Sequence, residues 1–294
     1  MMHSDLRVYS GNARTAGVVG APIHHSLSPL IHNAWLADLN LDGLYSPIEL
    51  ATDRFEAFID SLRGGSWRGL NITVPFKERA LRLADRMDEA AGAAGAANLL
   101  LFTADGEIEA RNTDGLGLLA ALREQAPDLN LAARSIVILG AGGAARGAIP
   151  PLLAAGAPQV RLVNRTLAKA ETLADRFGPT VQAFAQGEEA AAFDGAGLLI
   201  NASSASLSDP TGDNVPLDRL DSTAVVMDMV YKPLETALLR RARELGLTPV
   251  DGLAMLIGQA RPSFEAFFGR PAPQNNRVRT LALQMLGEAG AAMP

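Results

Sequence analysis

Gly140, Gly142 and Ala145 stand in a G-x-G-x-x-A pattern directly behind the apolar run Ile136-Val-Ile-Leu139. A short apolar run ended by glycines reads as a strand buried on both faces. Ala144, Ala145, Arg146, Ala148 and Ile149 then read as the start of a helix. At such a turn Gly140 permits the tight bend, and Gly142 lets a pyrophosphate approach the backbone. Ala145 lets the helix sit close on the strand. The free N–H groups at the helix start would hold the phosphates. Glycines at a strand end also make plain tight turns, so the motif alone leaves both readings open. The next strand ends at Val163 and is followed by Asn164, Arg165, Thr166 and Lys169. An NAD enzyme places Asp or Glu roughly 20 residues past the first glycine. Here the nearest acid is Glu171, inside the expected helix. A guanidinium and an ammonium beside hydrogen-bonding groups suit a 2′-phosphate instead. The alternative is a bare basic loop, which the helix dipole mildly disfavours.

Other candidates lie earlier. Ser26 and Ser28 sit at an expected helix start, with Pro29 behind them. Ser28 has an ordinary use as the cap of that helix; Ser26 has none. Two hydroxyls there could hold a carboxylate. Asn71, Thr73 and Lys77 sit where a strand, Arg68–Val74, gives way to Pro75 and a helix, 78–86. Ligands bind at such strand ends in parallel sheets, although most lysines are simply solvated. Asp114, in Asn112-Thr-Asp-Gly115, precedes a helix from Leu116 to Glu124 and could merely cap it.

The elements that must position these groups alternate along the chain. Strands are expected at 15–20, 44–50 and 68–74, with helices between, which implies a parallel sheet. Asn98 to Arg111 reads as a hairpin around Asp105-Gly106. After a boundary at 127–134 the alternation resumes through strands at 136–139, 159–163, 181–184, 197–200, 224–230 and 248–250. From Gly252 the chain turns helical, with one apolar face on Leu253, Leu256, Ile257, Ala260 and Phe264. The expected fold is α/β with two domains. A substrate domain with a mainly parallel sheet spans 1–114, and a Rossmann-like nucleotide domain spans 115–251. C-terminal helices, 252–294, return to the first domain. Residues 1–13 read as a loosely attached tail.

Composition narrows the function. The chain has 294 residues, 48% of them hydrophobic, and a net charge of −6 from 26 basic and 32 acidic side chains. That balance argues against a nucleic-acid partner. There is no cysteine, which removes disulfides, thiolate metal sites and cysteine nucleophiles. The 4 histidines, His3, His24, His25 and His32, show no metal-ligand spacing. Residues 1–15 lack the apolar core of a signal peptide, and no long apolar run is present. A cytoplasmic protein, monomeric or homodimeric, is expected, with no bound metal and no membrane partner.

At this point the residues resemble a known family. Val19-Gly-Ala-Pro-Ile-His-His-Ser-Leu-Ser-Pro29, Asn71-Ile-Thr-Val-Pro-Phe-Lys77, Gly95-Ala-Ala-Asn98, Asn112-Thr-Asp-Gly115, Gly140-Ala-Gly-Gly-Ala144, Asn164-Arg-Thr166 and Asp251-Gly-Leu-Ala-Met255 are similar, in order, to the motifs of shikimate dehydrogenases. The resemblance implies NADPH-dependent, reversible reduction of 3-dehydroshikimate to shikimate, a step of chorismate and aromatic amino acid biosynthesis. It implies that Ser26 and Ser28 bind the substrate carboxylate. Thr73, Asn98, Asp114 and Gln259 would meet the ring hydroxyls, and Tyr231 would line the cleft. Lys77 would be the general acid/base, paired with Asp114. Gly140, Ala141, Gly142, Gly143 and Ala144 would cradle the pyrophosphate of NADP(H). Asn164, Arg165, Thr166 and Lys169 would take its adenosine side, and Met229, Gly252 and Met255 would lie by the nicotinamide.

The chain departs from the family pattern in places. The loop after Asn201 reads Asn201-Ala-Ser-Ser-Ala-Ser206, with Ser206 where the family has a glycine. Pro262 lies just past Gln259 and is expected to kink its helix. A quinate-active relative of broader substrate or cofactor use and a non-catalytic NADP(H) sensor are the competing readings. Glutamyl-tRNA reductases share part of the nucleotide core, but they need a cysteine that this chain lacks.

Overall fold

The computed structural model describes residues 8–203 and 214–287. The first unit runs β1 (Arg14–Gly20), α1 (Ser28–Asp38), β2 (Gly43–Glu49), α2 (Phe55–Ser61), β3 (Trp67–Ile72), α3 (Lys77–Leu83), β4 (Arg86–Met87), α4 (Glu89–Ala94), β5 (Leu99–Phe102) and β6 (Ile108–Arg111). The second runs α5 (Asp114–Gln125), β7 (Ile136–Leu139), α6 (Gly143–Ala154), β8 (Val160–Asn164), α7 (Leu167–Ala174), β9 (Val181–Ala185), α8 (Glu189–Phe193), β10 (Leu198–Asn201), β11 (Val225–Asp228), α9 (Ala237–Glu244) and β12 (Thr248–Val250). Two helices follow, α10 (Gly252–Phe268) and α11 (Arg277–Leu286). Among the described residues, no helix is long and apolar enough to cross a membrane.

Each unit holds a 6-stranded sheet. The first has the order β2-β1-β3-β5-β6-β4. β1 pairs in parallel with β2 and β3, and β4 with β6, while the hairpin strand β5 runs antiparallel to β3 and β6. Strand order reverses between β1 and β3, so their carboxyl ends open a crevice. The loops leaving them carry Ser26 and Thr73, and the helices they lead into open on Ser28 and Lys77. The second sheet is parallel throughout, in the order β12-β11-β10-β7-β8-β9. Read from β9, this is the Rossmann order, with its crevice between β7 and β10. The unbroken apolar sequence of β7 follows from this place. Neighbours on both edges and helices on both faces leave no solvated side.

Helices α10 and α11 pack against α1 and β1. Phe264, Phe267, Phe268, Val278 and Ala282 join Ala16, Val18, Ile31 and Trp35 in one core. Asp251 starts α10 by accepting from the Ala254 amide at 2.9 Å. Its buried carboxylate also holds Arg279 at 2.6 Å and Gln125 at 2.8 Å. Burial alone would raise the Asp251 carboxyl, but Arg279, the Ala254 amide and Gln125 together hold it below the usual carboxylate range. Helices α5 and α10 cross backbone to backbone. A Cβ on Gly117 would lie 2.6 Å from the Met255 carbonyl and 2.8 Å from Gln259 Cβ. This contact brings the start of α5, with Asp114, beside Gln259.

Several local expectations change. β3 ends at Ile72 rather than Val74, and α3 starts on Lys77 and stops at Leu83. β4 and α8 have no counterpart among the expected elements. They are short, and a two-residue strand carries no periodicity to read. Helix α1 starts on Ser28 itself, with Leu27 at the N-cap and no side-chain cap. The expected Ser28 cap is therefore absent. Asp114 likewise opens α5 rather than capping it. Residues 1–7 of the expected loose tail lie outside the described residues. From Ser10 onward it is tied down, since the Ser10 amide and hydroxyl both bond Asp42. Helix α10 continues past Pro262 to Phe268, so the proline does not end it.

Candidate active site

A cavity of about 140 Å³ opens at the carboxyl ends of β1 and β3. Ser26, Ser28, Thr73, Lys77, Asn98, Asp114, Tyr231 and Gln259 all line it. At its centre Lys77 Nζ donates to Asp114 Oδ2 at 2.6 Å, with side-chain exposures of 17% and 4%. Asp114 Oδ1 accepts from Asn98 Nδ2 at 2.8 Å. Asn98 Oδ1 in turn accepts from the Thr113 amide at 2.8 Å, and its Nδ2 also faces Gln259 Oε1 at 3.3 Å. The Lys77 carbonyl accepts from the Ala97 amide at 2.9 Å, which fixes the base of the side chain. A cation at a helix start opposes the macrodipole. The facing carboxylate offsets that cost, so Lys77 sits where only a partner makes it tolerable. Thus Asp114 is withdrawn from capping because its two oxygens serve Lys77 and Asn98.

Ser26 and Ser28 exchange the parts their positions suggested. Ser26 Oγ accepts from the Ser28 amide at 3.3 Å. The Ser28 hydroxyl, freed from capping, has no hydrogen-bond partner among the described residues and is left to the cavity. Asn71, noted at the strand end but given no role, also lines the cavity. It lies two positions before Thr73, on the same face of the chain, and that period was the available signal. Its Oδ1 accepts from Tyr45 Oη at 2.7 Å, and its Nδ2 donates to the Asn98 carbonyl at 3.1 Å and to Ser263 Oγ at 2.9 Å. His32 is fully buried and stacked on Tyr45 at 4.0 Å. Burial pushes it down to about 3, so it is neutral near pH 7. Burial also raises the Tyr231 phenol, only partly offset by the Leu27 backbone. Neither ring is suited to shuttle a proton near neutrality.

The second crevice begins at Gly140, whose φ of 102° favours glycine. A Cβ there would lie 3.2 Å from Ser203 Cβ, so the turns after β7 and β10 meet. Gly142 caps α6 and Gly143 opens it, and a Cβ on either would meet nothing within 4 Å. The backbone at the start of α6 therefore borders open space, with Ala141 and Ala144 in the same turn. This arrangement fits a pyrophosphate. At the end of β8, Asn164 Nδ2 donates to the Thr166 carbonyl at 2.8 Å and closes a tight turn. Arg165 and Lys169 are exposed and make no ion pair among the described residues. Across the crevice, a Cβ on Gly252 would lie 2.5 Å from the Met229 carbonyl. The start of α10 and the end of β11 are thus pressed together, with Met255 buried one turn on. Asp228, which no motif or spacing singles out, locks this corner. Its Oδ1 accepts from Asn201 Nδ2 at 2.9 Å and from the Val230 amide at 3.0 Å, and its Oδ2 from Thr236 Oγ1 at 2.8 Å. Ser204 to Ser206, including the departure at Ser206, lie outside the described residues.

Family models described as shikimate dehydrogenase substrate binding domain and shikimate / quinate 5-dehydrogenase match residues 18–100 and 121–209. A shikimate dehydrogenase (NADP(+)) of Caulobacter vibrioides is 54% identical over 281 residues, which is 95% of this chain and 98% of that relative. The chain belongs to the shikimate dehydrogenase family. Among solved members, the enzyme of Thermus thermophilus in complex with NADP(H) and shikimate superposes with a TM-score of 0.81 and 32% identity, covering 93% of this chain and 99% of that one. A quinate dehydrogenase of Corynebacterium glutamicum in complex with NAD reaches a TM-score of 0.83 at 27% identity, covering 92% of this chain and 99% of that one. Helices α5 and α10 bind the two units together, Gly117 lying against the Met255 carbonyl and Gln259. Among the described residues, no cluster of His, Asp and Glu is placed to hold a metal ion.

Proposed function

We propose that this chain catalyses the NADPH-dependent, reversible reduction of 3-dehydroshikimate to shikimate, a step of chorismate and aromatic amino acid biosynthesis. The observation that carries the reading is the partly buried Lys77–Asp114 pair in a polar cavity beside an open, phosphate-ready helix start. NADPH, when bound, supplies the hydride. Lys77 gives the proton to the substrate's C3 oxygen in reduction and takes it back in oxidation. Asp114 orients Lys77 and, with Asn98, Thr73 and Gln259, reads the ring hydroxyls. Ser26 and Ser28 hold the carboxylate, and Tyr231 closes the wall. A trihydroxylated anion calls for this inventory of hydroxyls, amides and a carboxylate rather than an apolar pocket.

In this reading, Gly140, Ala141, Gly142, Gly143 and Ala144 hold the pyrophosphate. Asn164, Arg165, Thr166 and Lys169 hold the phosphorylated adenosine, and Met229, Gly252 and Met255 flank the nicotinamide. Labour is divided between a substrate domain, 1–114, and an NADP domain, 115–251, with 252–294 returning to the first. The protein works in the cytoplasm as a monomer or homodimer. The test is chemical. Purified chain given 3-dehydroshikimate and NADPH should form shikimate, identified by chromatography, one for one with NADPH consumed. A different product, or NADPH loss without shikimate, refutes the proposal.

The serine assignment has its own consequence. Hydrogen bonds to a charged group are worth about 1.5–3 kcal/mol each. The double change Ser26→Ala, Ser28→Ala should raise the KM for shikimate by at least about 10-fold and leave NADP+ binding intact. Ser28 caps nothing and Ser26 gives up only a long 3.3 Å bond from the Ser28 amide, so thermal melts should move little. An unchanged KM in the folded double variant sinks the carboxylate assignment.

A further inference from the structure

Helix α6 runs from the phosphate cradle past Asp114, the carboxylate of the Lys77–Asp114 pair. A Cβ on Gly147 would sit 3.1 Å from Asp114 Cβ and 3.2 Å from Asp114 Oδ2. Glycine is a poor helix former, and it stands here among alanines where the aspartate needs the room. One residue earlier, Arg146 reaches toward the start of α3. Its Nε is buried and has no hydrogen-bond partner among the described residues. That atom lies 3.7 Å from Glu78 Oε1, beyond hydrogen-bond reach. Glu78 directly follows Lys77 in the first turn of α3. Arg146 belongs to the nucleotide-side unit and Glu78 to the substrate-side unit, so the pair spans the cleft next to the reacting groups.

A buried donor without an acceptor is costly. Its acceptor is too far by only roughly 0.5 Å or a little more. A cleft that tightens to exclude water would cover that distance. We propose that Arg146 is a positioning residue for the reaction. On closure it completes its hydrogen bond to Glu78, fixes the first turn of α3, and so holds Lys77 against Asp114 and the substrate. The inference rests on the reading of Lys77 as proton carrier. Glu78 is half exposed, with 52% of its side chain accessible, and such pairs add little to stability. The effect therefore belongs in turnover and not in the melting temperature.

A double-mutant cycle tests this. Arg146→Met, Glu78→Gln and the double variant are compared with wild type for kcat, shikimate KM, NADP+ Kd and Tm. Misplacement by a fraction of an ångström predicts a loss of about 3- to 10-fold in kcat for each single change. KM, Kd and Tm should stay close to wild type. The double variant should be no worse than the poorer single, as expected for partners in one interaction. Additive losses overturn the proposal, as do single variants with wild-type kcat. So does weakened NADP+ binding in Arg146→Met with a silent Glu78→Gln, which would make Arg146 a cofactor ligand. A wild type inactive on shikimate overturns the parent reading and this inference together, whereas an active wild type with unaffected variants overturns this inference alone.

Discussion

Lys77→Ala is expected to lower kcat by about 10²–10⁴-fold, the usual contribution of a positioned acid/base group, while shikimate still binds. Lys77 is held at one end by the Ala97 amide and at the other by Asp114 at 2.6 Å. Two of the rings that line the cavity do not compete for the proton. His32 is buried and pushed down to about 3, and burial raises the Tyr231 phenol. KM should rise only modestly, because in the proposed binding mode other groups share the hydroxyl that Lys77 meets. Lys77→Met keeps the bulk and isolates the proton role. Asp114→Asn should cost both kcat and KM, since it loses a hydroxyl partner and the charge that orients Lys77. Steady-state kinetics with a binding titration decide the matter. If Lys77→Ala kept more than about a tenth of wild-type kcat, the loss would fall below that expected of a positioned acid/base. The proton would then come from water or another side chain.

Arg165→Ala should weaken NADP+ by roughly 10- to 150-fold, the worth of one charge-assisted hydrogen bond, and leave NAD+ use nearly unchanged. Arg165 and Lys169 stand exposed at the end of β8 with no ion pair among the described residues, where an NAD enzyme would carry an acid. No internal contact among the described residues depends on the guanidinium, so the fold should not register its loss. Comparing kcat/KM for the two cofactors separates the outcomes. Equal losses with both would mean that Arg165 serves the structure and not the 2′-phosphate.

Both predictions draw on motifs legible in the sequence, and the reason is local. The β7–α6 turn, the β5–β6 hairpin and the loop after β8 are each coded within a few consecutive residues. What the sequence hid depends on partners far along the chain. Ser28 and Asp114 both looked like helix caps, because capping is a local rule. Asp114 is drawn from it by Lys77 and Asn98, 37 and 16 positions away. Asn71 joins Tyr45, Asn98 and Ser263, and Asp228 ties β10 to the start of α9. The two-residue period marks the face of Asn71, but no periodicity names these partners. The place of Gln259 was also set at a distance. Gly117 and Gly258 let α5 and α10 touch, and Thr113 Oγ1 bonds the Gln259 carbonyl at 3.1 Å.

Initial rates at the nicotinamide absorbance band test the central claim most directly, with shikimate or quinate each paired with NADP+ or NAD+. The cavity and the exposed cations after β8 predict by far the steepest slope for shikimate with NADP+. A steepest slope for quinate with NAD+, or no slope with any pair, would contradict the account.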